Sequence, residues 1–159
     1  MLSSSRVVGL AFIILLGNTA INAQYDVNKY PQDNFFQKGM NSLHKGDTLA
    51  AYQYIESSYL FNPQDDDVAY HYLSLSLALD KPFAEPSAQE WIALTNNKIF
   101  KSRLQFQLGK FYFKNNKEQL ALKSFKNVSI EDLENEEIQL MKFQQGYLYF
   151  KSGDWDKAV

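Results

Sequence analysis

Small residues recur along this chain at a spacing that few architectures can use. They stand at Gly39, Ser74, Gly109 and Gly146, which are 35, 35 and 37 residues apart, and alanine follows twelve positions after three of them, at Ala51, Ala121 and Ala158. Self-similarity at a period of about 20 to 50 residues marks stacked units, each too small to bury its own apolar face. Between each small residue and its alanine lies a turn: Lys45-Gly46-Asp47, Lys114-Asn115-Asn116-Lys117 and Lys151-Ser152-Gly153-Asp154. Glycine or asparagine past a helix end takes the left-handed conformation that closes it, and aspartate caps the helix that follows. Each unit therefore reads as helix, turn, helix. Small residues on facing helices let backbones approach closely, so Gly39 is expected to meet the helix of Ala51, and Gly109 that of Ala121.

This pattern resembles the tetratricopeptide repeat, whose period is about 34 residues. The recurring residues are Phe35, Gly39, Gly46, Asp47, Ala51 and Pro63 in the first unit, and Leu108, Gly109, Tyr112, Ala121 and Phe125 in the third. The fourth carries Gly146, Tyr149, Gly153, Asp154, Trp155 and Ala158, and the second keeps only its first helix, as Tyr70, Leu73, Ser74 and Leu77. The resemblance implies an all-α fold, a right-handed α-solenoid of antiparallel helix pairs. Its units would span about 32–65, 67–100, 102–138 and 139–159, the last truncated. Solenoids end in a polar capping element, and the chain stops at Val159 inside a helix pair, so it reads as the N-terminal part of a longer protein. Tyr112, Phe125 and Tyr149 are expected between neighbouring units, and Pro63 ends the first because proline cannot continue a helix.

Departures from the pattern are specific. The second unit has Asp80-Lys81-Pro82-Phe83-Ala84-Glu85-Pro86 in place of a tight turn, and its second helix is expected to start near Ser87, carrying Trp91, Ile92 and Leu94. Gln105 and Lys142 occupy the large first-helix position, with Leu104 and Phe143 expected to substitute from next door. The 37-residue spacing implies a lengthened connection within 128–137.

Ahead of the repeats, Arg6, the apolar run Val7 to Leu16 and the small and polar stretch Gly17 to Ala23 form a secretory signal pattern. Residues 1–23 are thus expected to be a cleavable signal peptide and 24–31 a linker. The apolar run is short for a membrane span, which needs roughly 20 residues. The mature chain is expected in a periplasm, outer envelope or extracellular space.

The remaining composition argues against chemistry. Formal charge is −2, which gives no electrostatic footprint for nucleic acid, and there is no cysteine for a disulfide, thiolate metal site or nucleophile. His44 and His71 lack metal-ligand spacing. Asp65-Asp66-Asp67 lacks the ligands of a calcium loop and reads as helix capping. The acids Glu131, Asp132, Glu134, Glu136 and Glu137 read as a solvated connection, and Asn127-Val128-Ser129 matches a glycosylation sequon that is frequent by chance. No phosphate-binding glycine loop, zinc-protease motif or serine elbow occurs. No catalytic residue, metal or cofactor is expected.

What remains is a surface. In the family the chain resembles, first helices line a groove that holds peptide segments or partner helices. Position by position, the resemblance puts Phe36, Met40, His71, Leu75, Phe106, Lys110, Phe143 and Tyr147 there. Phe36 and Met40 stand where co-chaperone members carry a lysine and an asparagine for a terminal carboxylate, which disfavours that partner class. The expected role is a non-catalytic scaffold for other proteins. Alternatives are the sensor region of a larger signalling protein and a surface glycan-binding protein whose aromatics are sugar platforms.

Overall fold

The computed structural model describes residues 32–158, with side chains from Phe35 onward. The signal peptide and linker expected over residues 1–31 lie outside the described residues. Every regular element among the described residues is helical: α1 (Gln32–His44), α2 (Thr48–Phe61), α3 (Asp66–Ala78), α4 (Ala84–Leu94), α5 (Lys98–Lys114), α6 (Glu118–Lys126), a 3-10 turn (Ile130–Asp132), α7 (Asn135–Lys151) and the single turn α8 (Trp155–Ala158).

Four turns share one backbone geometry. A residue with positive φ follows the first helix of each pair: Gly46 at 78°, Asp80 at 52°, Asn116 at 57° and Gly153 at 78°. In each, its N–H donates to a carbonyl three residues back, and the next N–H reaches five residues back. Examples are Gly46 to Leu43 at 2.9 Å with Asp47 to Ser42 at 3.0 Å, and Asn116 to Phe113 at 3.2 Å with Lys117 to Tyr112 at 2.9 Å. This left-handed closure satisfies carbonyls that the helix end leaves open. The second unit has it too, through Asp80 and Lys81, although its sequence pointed away from a tight turn.

Helix starts correct three boundaries. α4 begins at Ala84, not near Ser87, because Pro86 falls in the first turn, where its missing N–H has no helical partner to lose. α5 and α7 begin at Lys98 and Asn135, ahead of the unit limits 102 and 139. The Asn97 side chain accepts from the Phe100 N–H at 3.2 Å, and Glu137 reaches back to the Glu134 N–H at 3.1 Å, so each start is capped.

Consecutive helices fold back on one another across these short links. A Cβ on Gly39 would collide with the Ile55 side chain of α2, and one on Gly109 with the Phe125 ring of α6. Gly46 and Asn116 lie between these partners, so α1–α2 and α5–α6 are antiparallel pairs. Phe125 therefore fills its own hairpin, within the core cluster that continues into the neighbouring helices. In the second pair Ala84 and Ala88 are fully buried, replacing the alanine that the period would put at Pro86. Leu104 is fully buried and takes the large first-helix role, but in α7 that role falls to Met141, since Phe143 is 68% exposed.

Hairpins are joined by packing of α2 on α3, α3 and α4 on α5, and α5 and α6 on α7. One core cluster holds Ala51, Tyr52, Ile55 and Leu75; a larger one runs from Tyr70 to Leu148. Tyr72 touches both clusters and stacks with Tyr59 at 4.4 Å. Turns of successive hairpins are tied by Lys114–Asp80, Lys117–Glu85 at 2.6 Å and Lys151–Glu118.

Candidate partner-binding site

The first helices α3, α5 and α7 pack side by side, and polar side chains gather between them. The Arg103 guanidinium of α5 lies 5.6 Å from the Tyr70 ring of α3 and 3.9 Å from the Glu137 carboxylate of α7. Burial pushes the Tyr70 phenol up in pKa, with Arg103 opposing. Two turns along α5, Lys110 Nζ sits 5.2 Å over the Phe106 ring and 3.1 Å from Gln107 Oε1. No carboxylate forms an ion pair with Lys110 among the described residues. Burial lowers its pKa, and Glu137 opposes from longer range.

Beside Lys110 lies a cavity of about 230 Å³, walled by Leu77 of α3, Phe111 and Phe113 of α5 and Gln144 of α7. Gln144 is only 9% exposed, and its Oε1 is buried with no hydrogen-bond partner; Arg103 Nε is in the same state. Leaving such an atom unpaired costs about 1–3 kcal/mol. A half-buried ammonium beside apolar walls suits a segment that brings a carboxylate to this spot. Among the described residues no three histidine, aspartate or glutamate side chains are grouped to hold a metal ion, and no helix is long and apolar enough to cross a membrane.

The residues expected to line a groove divide by position. Phe36 is half-buried, edge-on to His71 at 5.5 Å, and His71 Nδ1 lies 2.9 Å from the Asp67 carbonyl oxygen. Met40 is half-buried against the Ala51–Ile55 cluster. Phe143 and Tyr147 are open, 68% and 49% exposed, with Tyr147 edge-on to Phe113 at 5.8 Å. Leu75 and Phe106 are corrections: at 6% and 1% exposure they are core residues. Leu75 packs with Ala51 and Ile55, and Phe106 tilts against Phe125 at 6.4 Å. Inner first helices are covered by their own second helix and by both neighbours, so a position that is open on α7 is closed on α5.

Of the structural positions, Gly39, Ala51, Gly109, Tyr112, Ala121 and Phe125 are buried, Ser74, Gly146, Tyr149 and Ala158 are half-buried, and Pro63 is exposed. The Tyr112 hydroxyl bridges pairs by accepting from Gln89 Nε2 at 2.6 Å. The sequence does not mark Arg103, Gln107 or Gln144, and it reads Glu137 as part of a solvated connection, whereas Glu137 stands in the first turn of α7 and meets Arg103. One signal was available: glutamine stands two places before the small residue in three units, at Gln37, Gln107 and Gln144.

Compared with known proteins, the chain matches no family model, no curated protein and no solved structure.

Proposed function

We propose that the hairpins form a tetratricopeptide-type right-handed α-solenoid, exported to the cell envelope or secreted space. It serves as a non-catalytic scaffold that docks a protein segment along its first helices. The observation that carries this reading is the cavity among α3, α5 and α7, where Lys110 has no ion-pair partner among the described residues. Support for the architecture comes from the fourfold left-handed turn and from the side-by-side packing of α3, α5 and α7. An apolar segment carrying one acidic group fits this lining: the acid would meet Lys110, and apolar side chains would meet Phe113, Tyr147 and Phe143.

Site-specific photo-crosslinking tests this. A photoreactive phenylalanine at Tyr147 is expected to capture a discrete partner in envelope extracts, and the same probe at Leu120, 40% exposed on α6, is not. Lys110→Glu should abolish the Tyr147 adduct while helicity stays intact. Equal labelling from both positions, or labelling indifferent to Lys110→Glu, would reject the groove.

A further inference from the structure

A second cavity, of about 530 Å³, lies among α2, α3 and α4. Its walls include two aromatic rings, Tyr59 and Trp91, and two carboxylates, Asp66 and Glu90, but no lysine or arginine. Tyr59 is held by its stack on Tyr72, with planes 13° apart, and Trp91 packs against the main core. Both rings are therefore fixed platforms. Asp66 and Glu90 take part in no ion pair among the described residues; the Thr95 hydroxyl donates to Asp66 Oδ1 at 3.5 Å.

Two helix C-termini and two helix N-termini border the cavity, so its net charge rests on the two carboxylates. α2 ends at Phe61 with Tyr59 in its last turn, and α4 ends at Leu94 with Trp91 in its last turn, so two helix C-termini reach the same cavity. A helix C-terminus carries roughly half a negative charge, usually complemented by a basic side chain nearby. Neither α2 nor α4 has a basic residue in its last turn. Asp66 stands in the first turn of α3, whose positive end offsets part of its charge; Glu90 has no such offset. Aromatic faces attract cations through their quadrupole, more strongly where water is partly excluded.

We infer that this cavity binds an organic cation, an ammonium or guanidinium group held against Trp91 and Tyr59 and neutralised by Glu90 and Asp66. The site is separate from the Lys110 groove and of opposite charge preference. The cation's source is either a small free amine or a lysine or arginine side chain of another polypeptide, and both offer the same chemistry.

The chain has two tryptophans, so Trp155→Phe in the full chain leaves Trp91 as the only indole reporter. Titration with tetramethylammonium, and with a blocked lysine peptide, should give saturable Trp91 quenching; sodium acetate and glucose should give none. Glu90→Gln should weaken binding about fivefold, and Asp66→Asn by less, since losing one charge contact is worth about 1 kcal/mol. Trp91→Leu, followed by calorimetry, should remove binding; because Trp91 also packs on the core, exposed Glu90 supplies the variant that leaves folding untouched. Tighter binding of tetramethylammonium would assign a free amine, and tighter binding of the peptide a polypeptide source. The inference is overturned by no saturable response to either cation, by affinity unchanged in Glu90→Gln, or by glucose quenching as strongly as the cations.

Discussion

In the third hairpin α5 and α6 meet where Gly109 lies under the Phe125 ring with no room for a methyl group, and the link turns through Asn116 in the left-handed region. In the second, Ser74 replaces the glycine, Asp80 makes the left-handed turn, and proline stands where the third hairpin has Ala121. The turn hydrogen bonds are nevertheless matched: Asp80 to Leu77 at 3.2 Å and Lys81 to Ser76 at 3.0 Å, against 3.2 and 2.9 Å for Asn116 and Lys117. The turn asks only that one residue reach positive φ, which aspartate and asparagine tolerate better than most. The helix contact asks for complementary volumes, and a new pair of small residues, Ala84 and Ala88, has met that demand from a different register.

Gly109→Ala is the sharpest way to break this contrast. Overpacking against a ring that is 2% exposed should destabilise the chain by about 3 kcal/mol in thermal unfolding followed by circular dichroism. Adding Phe125→Leu should return part of the loss, so the double variant falls short of the sum. Ser74→Ala should stay within about 1 kcal/mol of the parent; an equal loss at both positions would show that the hairpins are built alike. Next in size, Asn116→Ala should cost about 1 kcal/mol, the penalty of a left-handed backbone for a residue with a Cβ and no local compensation. Asp80→Ala should lower the melting temperature more than Asp80→Gly does, because only glycine takes that φ freely.

The smallest effect concerns the turn-to-turn ion pairs. The Lys114 hydrogen bond holds the Asp80 carboxyl below the ordinary aspartate range, with burial opposing. Its contribution is therefore complete above an ordinary aspartate pKa of about 3.9 and fades as pH falls through the depressed value. Proton NMR titration of Asp80 should show this midpoint move up toward the ordinary value in Lys114→Met, with little change in melting temperature because the pair is exposed. A midpoint unchanged by Lys114→Met would remove the pair from the account.

Much of the fold was legible because turn chemistry is local. Gly46, Asn116 and Gly153 announce themselves as helix stops, and each takes positive φ. Asp80 did not, since aspartate occupies many other conformations and two prolines follow it closely. Pro86 looks like a helix boundary because the sequence does not say whether a proline falls in a first turn or an interior one. The site was less legible for a different reason. Whether Phe106 lines a groove or fills a core depends on which helices cover α5, and the cluster of Tyr70, Arg103 and Glu137 draws on three helices separated by more than thirty residues each. Neither fact leaves a short-range trace.

The packing scheme itself bears on how the chain reaches its native state. Among the described residues, each substantial helix contact joins elements adjacent or next-but-one along the sequence, from α2 on α3 to α7 on α8. Chains whose contacts are this local search little conformational space before being rewarded, and fold in microseconds to milliseconds. The earlier hairpins can therefore consolidate before the later ones, and folding need not wait for the C-terminal residues.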